Sequence, residues 1–377
     1  AAMVNSKEAD VDGSYSAYYP TIRGSGSVGS IDNTDPLLRD GRKQVIGLEL
    51  VQPIPIFGRE RALVNAAKAT LEAEKANFGQ VRQEIIYEIL DTSFQVASLR
   101  NTVRLRAATE QLLRTRVKSL HEAVQNGGAR ITDLKLAQSE LSQATSLSAN
   151  AEAEYRALTV KLITLLPNFD PKTLLMELKL ERLGVHPPES VDQAILIGKQ
   201  NAIAIRKAKA DLERASAERD VSEANIWPQF TLNLQVQKGA FGDISQDSTG
   251  VFLGLNAPLF EGGSRWSAAK SAAYRFNSAQ EALQAEILGL ERRIRELWTR
   301  WQALKAVASF WHRSITEQEA VLAFTKEQML GGGATKLDVS KAEEMVLESR
   351  LLGINQRLEH DRALLKLLLE IGELHTL

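Results

Sequence analysis

The 377-residue sequence contains no cysteine, which removes disulfides, thiol nucleophiles and thiolate metal sites. Charge of one sign is not in excess either: 46 Lys and Arg stand against 47 Asp and Glu, for a net charge of −1. A nucleic-acid binder would need a concentrated basic face, so nucleic acid is not an expected partner. Long apolar runs are missing too. No stretch approaches the roughly 18 apolar residues of a spanning helix, and mean hydropathy is −0.19. A membrane β-barrel survives that exclusion, because its strands alternate and leave average hydropathy ordinary. Residue 1 opens inside a helical pattern (AAMVNSKEADVDGSYSA) with no signal peptide, as expected of a mature or trimmed chain.

Proline is scarce and unevenly placed. Between Pro55 and Pro167 lie 111 residues without one, and 119 follow Pro258. Proline inside a helix costs about 3 kcal/mol, so these stretches can carry long helices. Alternating steps of three and four from Ile85 through Ile89, Thr92, Val96, Leu99, Val103, Arg106, Glu110, Leu113, Val117, Leu120 and Val124 trace a heptad seam. Arg106 and Glu110 are an i,i+4 ion-pair candidate within it. A helix over about 59–126 would be on the order of 100 Å long at ~1.5 Å per residue, which predicts an elongated molecule. A second seam, Leu134, Ala137, Leu141, Ala144, Ser148, Ala151, Tyr155, Leu158, Leu162 and Leu165, marks a return helix over about 131–166.

The chain repeats itself at an offset of 205. The first seam reappears from Leu290 to Met329, and Gly58, Gly128 and Asp133 map onto Gly263, Gly333 and Asp338. Each half therefore reads as one unit of strand, strand, long helix, glycine-rich turn with aspartate, and return helix. The first repeat covers 1–166, with strands about 21–30 and 44–51. An inter-repeat segment covers 167–190. The second repeat covers 191–377, with a helix about 191–226, strands about 229–237 and 249–256, and helices about 264–330 and 335–371. The fold class is mainly α with a small β part.

The strands alternate strictly. Phe230, Leu232, Leu234 and Val236 point one way, and Thr231, Asn233, Gln235 and Gln237 the other. Val251, Leu253 and Leu255 repeat the pattern, as do Ile46, Leu48 and Leu50. The polar stretch holding Asp32, Asp35, Arg39, Asp40 and Arg42 reads as one hairpin loop, and Lys238–Ser248 as another. Aromatics gather at the strand ends: Tyr18, Tyr19 and Trp227 before, Phe57, Phe260 and Trp266 after. That placement suits an interfacial girdle around lipid-facing strands. Four strands cannot close a barrel, and an open edge in lipid leaves backbone groups unpaired, so closure calls for further copies of the chain. Three copies would supply twelve strands.

These features resemble the TolC-type outer-membrane efflux proteins, over essentially the whole chain. The resemblance rests on the duplicated plan, on Tyr19-Pro20 and Trp227-Pro228 entering strands, and on Pro55-Ile56-Phe57-Gly58 and Pro258-Leu259-Phe260-Glu261-Gly262-Gly263 leaving them. The glycine-to-aspartate turns at 127–133 and 332–338 complete it. The resemblance implies a homotrimer with a twelve-stranded outer-membrane barrel continued by a coiled-coil α-barrel across the periplasm, and an equatorial region including 167–190. It implies docking to a periplasmic adaptor and an inner-membrane ABC or proton-driven transporter at the turns, where Gly127, Gly128, Arg130, Gly332, Gly333 and Lys336 lie. Asp133 and Asp338 match the family's constriction aspartates, while a second acidic ring position is Lys341 here. The tyrosine and arginine of the family's closed-state lock are replaced by Met329 and Ala334.

No catalytic, cofactor or metal site is expected. The histidines at 121, 186, 312, 360 and 375 include no i,i+4 pair, and no nucleophile elbow or phosphate loop occurs. Asp133 and Asp338 are also read as ordinary N-caps of the return helices, and Trp298, Trp301 and Trp311 as packing residues. Within the duct reading two cargo classes remain open: type I secretion of an unfolded polypeptide, and efflux of small molecules or metal ions. Many efflux-only members carry an acylated N-terminal cysteine, and its absence here leans towards secretion. The alternative of another class is a soluble coiled-coil adaptor or scaffold.

Overall fold

A computed structural model of the chain describes residues 1–31, 41–167, 187–241, 244–245 and 247–376. In chain order the elements are α1 (Ala2–Ser14), β1 (Thr21–Ile31), β2 (Gly41–Ile54), α2 (Arg59–Gln125) and α3 (Ile131–Leu165). There follow α4 (Val191–Asn201), α5 (Ile203–Ala224), β3 (Gln229–Phe241), β4 (Ile244–Ser245), β5 (Ser248–Asn256), α6 (Ser264–Leu330) and α7 (Lys336–Ile371). The chain divides into two compact units, residues 1–80 with 203–287, and residues 81–202 with 288–377. Each unit thus takes a piece from both sequence repeats.

The first unit holds the sheet. Its strands are all antiparallel in the order β1-β2-β3-β5, with two-residue β4 extending the pairing of β3 near the hairpin end. β2 and β3 are longer than the alternation indicated. Pairing of Lys43 with Phe241 and of Gln44 with Ala240 carries both strands into stretches read from the sequence as loops. Lys238–Phe241 and Arg42 are therefore strand residues, while Asp32, Asp35, Arg39 and Asp40 lie outside the described residues. Pro53 takes part in β2 near its helix-side end, where Ile56 N–H already turns back to the Ile54 carbonyl. A Gly at 58 with φ of 73° then starts α2.

The second unit is built on the seams. Every α3 seam position from Leu134 to Leu165 is buried or half-buried, and so is every α6 position from Leu290 to Met329. In α2 the pattern holds from Ile89 to Val124, whereas Ile85 is exposed and Phe94 and Leu105 bury instead. The ion pair expected between Arg106 and Glu110 is not the one formed: Glu110 takes Arg114 at 2.6 Å. That choice puts the glutamate N-terminal to its cation, the better helical order. The α2–α7 contact carries its own tie, Arg362 gripping Asp91 at 2.6 and 3.2 Å with Gln95 also donating to Asp91. The Asp91 carboxylate holds the Arg362 guanidinium above its ordinary value.

Buried apolar side chains close this unit, among them Leu162, Ala194, Leu290, Ile294, Leu365, Leu368 and Ile371, with Leu374 in the 3-10 turn after α7. Gly198 of α4 packs closely against them: an added Cβ would stand 2.6 Å from Ile294 Cδ1, so the Ile294 side chain would have to shift. The helix expected over 191–226 is two helices. Ala202 is extended (φ −58°, ψ 126°) and buried, and the backbone of Gly372 (φ 80°) lies against the Asn201 carbonyl there. No proline or glycine announces this break, because a packing contact from 170 residues downstream accompanies it. The inter-repeat segment lies mostly outside the described residues; Pro167 and Pro187 to Ser190 are described, the latter stretch ending in the Ser190 cap of α4.

Candidate functional site

Two surfaces concentrate the residues singled out by sequence, one in each unit. On the sheet, register decides which side chains share a face. Leu234 lies between Leu50 and Val251, with Ile22 beyond Leu50. Val236 pairs Leu48, Leu232 pairs Gln52 and Leu253, and Phe230 pairs Ile54 and Leu255. All seven strand residues named from the alternation therefore lie on one face. That face is uncovered in the single chain: Ile46 is 72% exposed, Val28 71% and Leu253 70%. Gln52, its one amide at the helix-side end, is satisfied by the carbonyls of Tyr18 and Pro53 at 3.0 and 2.8 Å.

The opposite face is polar. It carries Thr21, Arg23, Ser25, Glu49, Thr231, Asn233, Gln235, Gln237 and Ser248, with Val45, Val51 and Phe252 among them. Gln235 donates to Glu49 across the strands at 3.1 Å. Among the described residues only β2 and β3 have partners on both sides, and β1 and β5 end the sheet with one edge each unpaired. At the helix-side rim Phe57 stacks on Trp227 at 5.3 Å and touches Phe230 at 6.3 Å. Tyr18, Tyr19, Phe260 and Trp266 are exposed close in sequence to the same strand ends.

In the second unit the two glycine turns are built alike. α2 ends with Gly127 at φ 75°, Gly128 N–H on the Ala123 carbonyl at 2.8 Å and Gly127 N–H on Val124 at 3.1 Å. α6 ends with Gly332 at φ 80°, Gly333 N–H on Gln328 at 2.8 Å and Gly332 N–H on Met329 at 3.2 Å. Both are Schellman closures, in which glycine takes the left-handed position that satisfies the last carbonyls. The repeat offset of 205 is preserved bond for bond.

The return helices start differently. Neither aspartate is the N-cap. Thr335 caps α7, and Asp338 is the reciprocal partner three residues on, accepting from Thr335 N–H at 2.8 Å and from its hydroxyl at 2.7 Å. These bonds, side chain first and backbone second, hold the Asp338 carboxyl below its ordinary value near 3.8. At the equivalent place α3 has Arg130, which makes no side-chain cap. Asp133 is exposed, and among the described residues its carboxylate has no hydrogen bond or ion pair. It borders a groove of about 840 Å³, with Gly127, Gly128, Arg130, Lys336, Leu120 and Val339 among the other walls. Gly332, Gly333, Asp338 and Lys341 are exposed but do not line that groove.

Sequence reasoning missed the residue beneath the groove. Arg116 of α2 has a side chain only 5% exposed. Its Nη2 meets Glu344 of α7 at 2.6 Å, its Nη1 meets Glu140 of α3 at 3.2 Å, and its Nε donates to Ser340 at 3.0 Å. One planar fork thus joins three helices, a geometry lysine could not reproduce. The signal was available: Arg116 has Leu112, Leu113 and Leu120 at helical spacing around it, so its side chain had to enter the apolar side. Its counterpart at offset 205 is Val321, so only the first hairpin has this clamp.

Removing the fork while keeping its length (Arg116→Met) should cost about 2–3 kcal/mol, since it leaves two carboxylates facing each other half-shielded from water. A thermal-melting series in detergent should rank Arg116→Met below Glu344→Gln and Glu140→Gln. Acidification tests the cap. Because Asp338 titrates below its unfolded value, its stabilising effect is complete above the ordinary aspartate range and lost as pH falls through the depressed value. Protection of the first-turn amides of α7, taken relative to their intrinsic exchange rate at each pH, should fall over that acidic window, and Asp338→Asn should show low protection throughout with no such pH dependence.

Comparison with known proteins agrees with this geometry. The family described as outer membrane efflux protein matches residues 1–167 and 198–373. The chain is 25% identical to Protein CyaE of Bordetella pertussis over 276 residues, 70% of this chain and 57% of that one. It is 24% identical over 244 residues to the cobalt-zinc-cadmium resistance protein CzcC of Cupriavidus metallidurans, 64% of this chain and 56% of that one. The chain thus spans a little over half the length of these two relatives. Among solved structures, the outer membrane protein VceC of Vibrio cholerae superposes with a TM-score of 0.81 at 19% identity, over 98% of this chain and 91% of that chain. With its duplicated strand–helix plan, one-sided apolar sheet and twin glycine turns, the chain belongs to the outer membrane efflux protein family.

Proposed function

We propose that three copies of the chain form a passive exit duct through the outer membrane. The observation that carries this reading is the sheet: one face is predominantly apolar and uncovered, the other is polar, and among the described residues both edges are open. From the Ile54 row to the Gln44 row is about 34 Å along the strand at ~3.4 Å per residue. Tilted by ~40°, that becomes roughly 26 Å, matching the apolar band of ~25 Å on membrane barrels. Pairing β1 of one copy with β5 of the next satisfies every edge amide and gives twelve strands around a polar lumen. Phe230, Leu232, Leu234, Val236, Val251, Leu253 and Leu255 then face lipid, and the aromatic rim marks the periplasmic boundary.

The helical unit is the periplasmic part in this reading. Its turn end meets a periplasmic adaptor and an inner-membrane transporter, which supplies the energy; Gly127, Gly128, Arg130, Gly332, Gly333 and Lys336 are the docking residues. Asp133 and Asp338, with Lys341 one turn on, form the constriction. Asp133 is the stronger gate group of the two, since Asp338 is engaged in its own cap and Asp133 is not. A cargo of unfolded polypeptide is the favoured class. Metal-ion efflux is the second reading, on the likeness to a cobalt-zinc-cadmium resistance protein.

In planar bilayers the purified protein should give steady ion currents. Asp133→Asn should lower cation selectivity more than Asp338→Asn, and Leu234→Arg should give no pores and no outer-membrane trimer. Normal trimer assembly of Leu234→Arg would overturn the orientation of the sheet. Cargo is read separately: deleting the gene should remove one secreted protein from the medium without metal or drug hypersensitivity, and the converse result assigns efflux.

A further inference from the structure

The extra length of β2 and β3 places two cations on the apolar face. Lys238 lies across from Ile46, and Arg42 stands two residues beyond Gln44 towards the hairpin end. Counting along the ladders, both share their face with Ile46, Leu48, Leu50, Leu234 and Val236. Both are exposed, and among the described residues neither side chain makes an ion pair or hydrogen bond. No carboxylate occurs on this face within the described strands. Asp247, near the same rim, has its carboxylate on the Gly239 N–H at 3.4 Å. At the other rim the face ends in Phe230, Ile54 and Leu255, with no strand cation.

The two rims therefore differ in kind, aromatic at the helix side and cationic at the hairpin side. A charge facing hydrocarbon is expensive, and a long basic side chain near the boundary extends its head to the interface. Lys238 sits about 7 Å below the Gln44 row by strand rise, within reach of the headgroups for a four-carbon stem. Arg42 stands at their level, where its guanidinium can fork a phosphate. We propose that Arg42 and Lys238 form a phosphate-binding rim for phosphorylated glycolipid headgroups of the outer leaflet. The proposal rests on the lipid-facing orientation argued above. Six such cations would ring a trimer, fixing its depth and favouring a phosphate-rich leaflet on the hairpin side.

The test uses the full-length chain in detergent micelles, titrated with a bisphosphorylated glycolipid and with the same lipid after phosphate removal, bound lipid being counted by native mass spectrometry. Each cation near an anionic surface is worth about fivefold in affinity, so the pair predicts roughly 25-fold preference for the phosphorylated form. Arg42→Gln with Lys238→Gln should erase the preference, and Lys238→Arg should keep it. An unchanged preference in the double variant, or none in the unaltered protein, overturns the proposal. Competition by millimolar inorganic phosphate as effective as by lipid would assign a free-anion site instead and overturn it equally. Pore formation in uncharged phosphatidylcholine bilayers is recorded in parallel for every variant. If the double variant forms pores but preference persists, the rim fails and the duct stands; if the unaltered protein forms no pores, the duct reading itself has failed.

Discussion

Backbone hydrogen bonding at the edges of an amphipathic sheet is the constraint on which the rest depends. The strands are long and antiparallel, apolar on one face and polar on the other, and the sheet ends at β1 and β5 with a row of unpaired groups on each side. Water can satisfy those groups, but water will not accept the apolar face; lipid accepts the face but not the edges. A sheet of this kind has no comfortable single-chain state. The proposed closure with further copies would resolve both demands at once, and would leave the lumen polar.

The helices pose a different problem, that of holding elements of 67 residues in register. Local propensity cannot do this; burial along the heptad seams does, with a leucine-rich core around α4 and the end of α7. Glycines at 127 and 332 reverse the chain by the same pair of hydrogen bonds in each repeat. The two hairpins are equivalent in their turns but not in their supports. One begins its return helix with a full capping box and the other with an arginine, and only α2 carries the buried fork of Arg116. The two repeats thus share a backbone plan while their turn regions differ in chemistry.

Much of this was legible without coordinates. The strand faces around Leu234 and Leu253 followed from strict alternation, since side-chain period 2 admits no other assignment. The glycine turns were visible because left-handed φ is accessible to few other residues. Other features were not. Asp338 was read as a cap, yet Thr335 is the cap and Asp338 its partner, a distinction that depends on where α7 takes its first helical φ and ψ. Glu110 was matched to Arg106 when Arg114 was equally spaced on its other side. Arg116 drew no attention in the sequence, although three leucines at helical spacing surround it.

What the sequence determined by itself is therefore the repeating plan, the faces of the strands, the seams and the turns, because each is written in local periodicity or in a residue with unusual backbone freedom. What the tertiary structure decided is where elements stop and which charges meet. Strands β2 and β3 extend past their alternating cores because they pair with each other, and that pairing moves Arg42 and Lys238 out of presumed loops onto the apolar face. The helix over 191–226 breaks at Ala202, where Gly372 packs. Such endpoints depend on partners more than a hundred residues away, and no local pattern in the chain encodes a distance in space.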